Sequence, residues 1–283
     1  MFDTLVETET LAAHLGDPGW VVFDCRAQIT DPGAGARRYA EGHIPGAVHL
    51  SLERDLSGPI TPDTGRHPLP DPRQLAVTLG RSGVGDGIQI VAYDDAGGSH
   101  AARLWWLARW LGHLNVAVLN GGWQQWTRES RAISIEIPAS LPRHFETRLQ
   151  EGLWVTTDEV LEWVRGRKHG LLVDVRGPNR YRGEEETIDP VAGHVPGAVN
   201  LPYSESVAGD GRFKNPAELR RHFEAAFNGV RPEQVVCMCG SGVTACHGLL
   251  AMEIAGLKGA RLYAGSWSEW IRDPTRPVAR DGV

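Results

Sequence analysis

Gly42-His43-Ile44-Pro45-Gly46-Ala47-Val48 and Gly193-His194-Val195-Pro196-Gly197-Ala198-Val199 are one seven-residue stretch written twice, identical at six positions. A chain that repeats itself is read as copies of one unit before any single motif is weighed. Upstream, Val21-Val22-Phe23-Asp24-Cys25-Arg26 precedes the first turn and Leu172-Val173-Asp174-Val175-Arg176 the second. Each is followed by a polar stretch with an arginine beside a tyrosine, Arg38-Tyr39 and Arg180-Tyr181. Downstream, the apolar run Ile88 to Tyr93 answers Gln234 to Met238, and Gly122-Trp123-Gln124-Gln125-Trp126 answers Ser266-Trp267-Ser268-Glu269-Trp270.

At 283 residues the chain has room for two domains of ordinary size, each burying its own core. In each half, apolar runs of strand length alternate with longer segments of helical spacing, such as His100 to Leu111 and Thr244 to Ala255. That alternation predicts an α/β class fold of two tandem domains, each a small open parallel sheet flanked by helices. Gly112 and Gly256 stand where helix C-terminal glycines belong. The stretch around Pro138 and Pro142 has no repeat counterpart and reads as a linker. The expected division is 1–136, a linker at 137–152, and 153–283.

The formal charge of -6, with no run of Lys or Arg, excludes a phosphate-tracking surface, so nucleic acid is not an expected partner. Met1 to Leu15 lacks the cationic and apolar regions of an export signal, and no apolar stretch approaches the roughly 20 residues of a membrane span. A soluble, cytoplasmic protein is expected. Cys25, Cys237, Cys239 and Cys246 are too few and too unevenly placed for a disulfide framework, so free thiols are expected.

The copies diverge most at one loop. After the strand ending at Met238 comes Cys239-Gly240-Ser241-Gly242-Val243-Thr244; the matching strand of the first half leads into Asp94-Asp95-Ala96-Gly97-Gly98-Ser99. Open α/β sheets bind ligands between a strand's carboxyl end and the next helix. There the unpaired N–H groups and the helix dipole favour an anion, and a cysteine so placed tends toward its thiolate. Gly240 and Gly242 permit a curl that turns successive N–H groups inward, so Gly240, Gly242, Val243 and Thr244 are candidate substrate-binding residues. Only the second half carries a nucleophile. Cys237, within the strand, and Cys246, in the first helical turn, read as core cysteines. A metal site from Cys237, Cys239, Cys246 and His247 lacks the Cys-x-x-Cys spacing and is not expected.

The duplicated domain, the twin turns and the paired Trp123/Trp126 and Trp267/Trp270 segments resemble two-domain sulfurtransferases of the rhodanese family over essentially the whole chain. The loop from Cys239 to Thr244 is similar to that of the 3-mercaptopyruvate sulfurtransferases. Typical thiosulfate enzymes have a more basic loop. The resemblance implies that Cys239 carries sulfur as a persulfide and that Ser241 works with a histidine and an acid, matched here by His67 and Glu53. The family uses aspartate where Glu53 stands, and a solvated loop histidine is the alternative for His67. It also implies two arginines that hold the donor's carboxylate and carbonyl. Arg180 matches the first; the second should fall just before His194, yet Glu184 to Ala192 contains no basic residue. Arg182 as a substitute, or thiosulfate as an additional donor, remains open. No metal or organic cofactor is implied. The expected acceptor is a thiol, a small dithiol protein, or cyanide in an assay.

His43 and His194 recur in both copies, one without a nucleophile, and are expected to brace their turns. The tryptophans are expected to pack core and interface. A cysteine phosphatase would need an arginine six residues after the nucleophile, where Ala245 stands. The remaining rival is a sulfur-carrier or regulatory module without catalysis.

Overall fold

A computed structural model describes residues 1–280 and divides into two compact units. Unit 1 comprises Met1–Gly58, Leu69–Gln150 and Ala208–Phe213; unit 2 comprises Pro59–Pro68, Glu151–Val207 and the chain from Lys214 onward.

Unit 1 contains β1 (Leu5–Val6), α1 (Thr8–Ala13), β2 (Trp20–Asp24), α2 (Ala34–Glu41), β3 (Val48–His49), α3 (Pro72–Arg81), β4 (Gln89–Tyr93), α4 (Ala101–Trp110), β5 (Val116–Leu119) and α5 (Gly122–Arg128). Unit 2 repeats the series as β6 (Trp154–Val155), α6 (Thr157–Val164), β7 (Leu171–Asp174), α7 (Pro178–Arg182), β8 (Val199–Asn200), α8 (Pro216–Phe227), β9 (Val235–Met238), α9 (Ala245–Ile254), β10 (Arg261–Tyr263) and α10 (Ser266–Trp270). The two five-stranded sheets have the orders β1-β5-β4-β2-β3 and β6-β10-β9-β7-β8, the same topology twice, and every pairing is parallel. The order in which strands are added reverses between β2 and β4 in the first sheet and between β7 and β9 in the second, which makes the carboxyl ends of those strands the natural ligand crevice.

Local chemistry explains the element ends. Asp71 caps α3 by accepting from the amides of Arg73 and Gln74, while Thr156–Glu159 and Asn215–Glu218 form capping boxes on α6 and α8. Gly112 and Gly256 follow α4 and α9 with φ of +90° and +75°, as the two glycines predicted. Both helices are apolar on nearly every side and are buried accordingly. The stretch at 137–150 runs along unit 1 without regular structure. The amides of Arg143, Arg148 and Gln150 donate to Gly80, Leu111 and Trp110 there.

The repeated turn is fixed in the same way in both units. Arg26 and Arg176 each fork onto the aspartate two residues earlier, Asp24 and Asp174, and reach on to the turn carbonyls of Gly42 and Gly193 at 2.6 and 2.8 Å. His43 and His194 stack on Tyr39 and Tyr181, ring centroids 3.8 Å apart in each pair, and bond the same tyrosines' carbonyls. Ile44 and Val195, next in the turn, are fully buried in the two cores with Trp126 in one and Trp267 and Trp270 in the other. Both histidines therefore brace the turn, as their recurrence implied. Among the described residues, no helix is long and apolar enough to cross a membrane.

Candidate active site

Cys239 leaves the carboxyl end of β9, whose last residue Met238 pairs with Asp174 of β7, so it sits at the crevice the topology defines. The loop is held from behind by α10. The Cys239 amide donates to Ser266 Oγ at 3.1 Å, and the carbonyls of Cys239 and Gly240 accept from Trp267 and Ser268 at 3.1 and 2.8 Å. The tryptophan of this recurrent segment holds the loop in both copies, for in unit 1 the Trp123 amide donates to the Asp94 carbonyl at 2.8 Å. Gly242 has φ +78°, and a Cβ there would lie 2.2 Å from the Ala264 carbonyl, so the curl requires glycine.

The other three thiols are fully buried within the core. Burial pushes Cys25 and Cys237 well above the usual thiol range, with nearby negative charge adding to the effect. Cys246 donates its Sγ–H to Gly242 O at 3.3 Å within α9. Among the described residues, no group of His, Cys, Asp and Glu is arranged to hold a metal ion.

His67 and Ser241 are both buried, and His67 Nδ1 hydrogen-bonds Ser241 Oγ at 2.8 Å. The segment bearing His67 belongs to unit 2 and is tied to α10: the Arg66 amide donates to Ser268 Oγ at 3.0 Å, and Arg272 Nε donates to Thr64 O at 3.0 Å. Glu53 lies in unit 1, where its carboxylate accepts from Ser51 Oγ at 3.1 Å.

Arg180 on α7 is gripped by two acids, its Nε donating to both oxygens of Glu186 at 3.1 Å and its Nη2 to Asp189 Oδ2 at 3.0 Å. Arg182, the candidate substitute, pairs with Glu184 and Asn179. The guanidinium that joins Arg180 is that of Arg66, which no motif in the sequence marks; its Nη1 pairs with the other oxygen of Asp189. A Cβ on Gly240 would lie 3.0 Å from Arg66 Nη2 and 3.5 Å from both Nη atoms of Arg180, so two cations meet beside the cysteine. Burial lowers the Arg66 pKa, and the Cys239 charge opposes that shift. The only hint of Arg66 in the sequence is its place next to His67.

The corresponding loop of unit 1 shows what such a loop binds. Asp94 stands where Cys239 does, and its carboxylate accepts from the amides of Ala96, Gly98, His100 and Ala101 at 2.7 to 2.9 Å. The curl gathers N–H groups around an anion, and in this copy the chain supplies the anion itself. Arg38 pairs there with Asp95, one residue on.

A duplicated parallel sheet thus carries a thiol at a curled loop with a hydroxyl–imidazole pair and two guanidiniums in the same unit, the fold and residues of a transferase. The chain belongs to the rhodanese family and is a sulfurtransferase: the rhodanese-like domain model matches residues 7–129 and 156–273. A "Probable 3-mercaptopyruvate sulfurtransferase" of Pseudomonas aeruginosa is 46% identical over 277 residues, covering 97% of both chains. Thiosulfate sulfurtransferase of Bos taurus is 34% identical, over 96% of this chain and 93% of that one. The crystal structure of the 3-mercaptopyruvate sulfotransferase SseA from Escherichia coli superimposes with TM-score 0.78 at 31% identity, covering 94% of this chain and all of that one.

Proposed function

We propose that the protein takes sulfur from 3-mercaptopyruvate onto Cys239 and passes it to a thiol, a small dithiol protein, or cyanide in an assay. In the first half-reaction the Cys239 thiolate attacks the donor sulfur. A sulfur–sulfur bond forms, the donor carbon–sulfur bond breaks, and its electron pair leaves as the enolate of pyruvate. The proton of the donor thiol ends on that carbon, so the half-reaction yields a persulfide and pyruvate with no external oxidant. Ser241, bonded to His67, is the hydroxyl we assign to moving that proton. The inward amides of the Gly240 to Thr244 curl are assigned to the persulfide, and Arg180 to the donor carboxylate. In the second half-reaction the acceptor attacks the outer sulfur and restores the thiolate. Four free cysteines fit a reducing, cytoplasmic setting.

The observation that carries the donor assignment is the buried Ser241–His67 bond at 2.8 Å beside the cysteine loop, since a proton must move when pyruvate leaves and none moves when sulfite does. Pyruvate release from mercaptopyruvate is compared with thiocyanate formation from thiosulfate and cyanide, in wild type and Cys239→Ser. Faster pyruvate release in wild type, and a mass gain of one sulfur atom confined to Cys239, are expected. Sulfur transfer that survives Cys239→Ser overturns the role of the cysteine; a strong thiosulfate preference overturns the donor.

A further inference from the structure

We infer that Ser268 is a positioning residue that holds the His67 segment against the cysteine loop, so that one residue of α10 sets the imidazole's place relative to the reacting sulfur. The inference rests on the reading that the Ser241–His67 pair moves the proton when pyruvate leaves.

Ser268 is buried, 4% exposed, and is bonded on two sides. Its amide donates to the Gly240 carbonyl at 2.8 Å, one residue after Cys239. Its Oγ accepts from the Arg66 amide at 3.0 Å, one residue before His67, and its hydroxyl proton points back to the Gly265 carbonyl at 3.5 Å. The same seam continues on either side: Glu269 Oε2 accepts from the Gly65 amide at 3.4 Å, and Arg272, just past the helix, donates to Thr64 O at 3.0 Å. Gly65 fits because it has no side chain. An added Cβ would lie 2.7 Å from both Ser268 Oγ and the Gly265 carbonyl. The stretch from Thr64 to His67 has no regular structure to hold an imidazole, so its bonds to α10 do the holding.

The other copy shows that this use of the position belongs to unit 2. Gln124 is the counterpart of Ser268, and Asp95 that of Gly240. There the exposed Gln124 side-chain amide donates to the Asp95 carbonyl, so a side chain does what the Ser268 backbone does in unit 2. With the loop carbonyl served by its backbone, Ser268 gives its oxygen to Arg66. One short hydroxyl thereby ties the nucleophile's loop to the segment that carries the base.

The full chain is tested as Ser268→Ala, which removes the oxygen, and as Gly65→Ala, which pushes the same contact apart from the segment's side. Gly65→Ala leaves α10 intact and carries the test should Ser268→Ala not fold. The first readout is carbethoxylation of His67 by diethyl pyrocarbonate, located by mass spectrometry, which needs no sulfur chemistry. His67 is 5% exposed and is expected to react slowly in wild type. In both variants it should react about fivefold faster or more, since losing a buried hydrogen bond raises the open population by that order. The second readout sets three rates side by side. The kcat of pyruvate release should fall about tenfold or more, as it does when proton-transfer groups are displaced. Thiocyanate formation from thiosulfate at saturation, and Cys239 alkylation by neutral iodoacetamide, should stay within about twofold of wild type, because neither uses the imidazole. Collapse of the loop would lower all three together. Unchanged His67 protection in both variants, or an equal fall in all three rates, overturns the role of Ser268. Loss of His67 protection with pyruvate release unchanged overturns the His67 relay instead, and leaves Ser268 as the residue that docks the segment. If wild type releases no pyruvate, the donor assignment falls alone, and carbethoxylation still decides Ser268.

Discussion

Asp94 and Cys239 occupy one place in two copies of a loop; in the first the chain fills the anion site itself, and under the proposed function a thiolate and its persulfide take that place in the second. The Asp94 carboxylate satisfies four amides in a buried turn. Hydrogen bonds to a buried charge contribute about 1.5–3 kcal/mol each, and stranding their donors adds a desolvation penalty. Asp94→Ala should therefore lower the unfolding free energy by about 3 kcal/mol or more, with Asp94→Asn, which keeps one acceptor oxygen, falling between. Urea denaturation at neutral pH reads the order directly; equal stability of Asp94→Ala and wild type would show that the amides find other partners.

At the scale of elements, the cysteine loop is shaped by its glycines and held by α10, and the two glycines differ in what they protect. Gly242 combines a φ of +78° with an approach of 2.2 Å between an added Cβ and Ala264 O, so Gly242→Ala should destabilise the protein by about 2 kcal/mol or more and abolish transfer. Gly240 has no such backbone demand. An added Cβ meets only the flexible ends of Arg66 and Arg180, so Gly240→Ala should melt near wild type while its KM for mercaptopyruvate rises. Thermal melting set beside kinetics separates the two; a Gly240→Ala protein with unchanged KM would detach the loop from the guanidiniums. The elements themselves were legible from the chain: α4, α9 and their closing glycines fall within a residue or two of where periodicity puts them. Arg66 was not legible, because its partners Asp189 and Arg180 lie more than a hundred residues away and no local pattern records a long-range ion pair. The same holds for the forks of Arg26 and Arg176. Their motif was visible as a repeat, whereas its bond to the turn carbonyls exists only once the sheet has formed.

For the molecule as a whole, duplication is what made the fold readable: a parallel sheet of order 1-5-4-2-3 built twice leaves its mark in every recurrent motif. It also supplies internal controls, and one concerns pH. At the edge of each sheet a side chain donates to the carbonyl of the buried aspartate on the neighbouring strand. In unit 1 this is His49 Nδ1 to Asp24 O at 3.1 Å; in unit 2 it is Asn200 Nδ2 to Asp174 O at 2.9 Å. Asparagine does the work without titrating. Burial holds the His49 imidazole below its ordinary value of 6.5, and burial does the same to His113, which bonds the Ile88 carbonyl at 2.9 Å. As pH falls through 6.5 the unfolded chain therefore takes up protons that the folded chain refuses. Acidification favours unfolding from that point down to the folded pKa values, and no stability is lost through these groups above it. The melting temperature should fall between pH 7.5 and 5.5 in wild type, and more shallowly in His49→Asn, which borrows the solution of the other copy. His113→Gln should remove a further part of the slope, additively, since its ring contacts a different strand. Parallel pH profiles for wild type and the double variant would place the acid sensitivity in other groups.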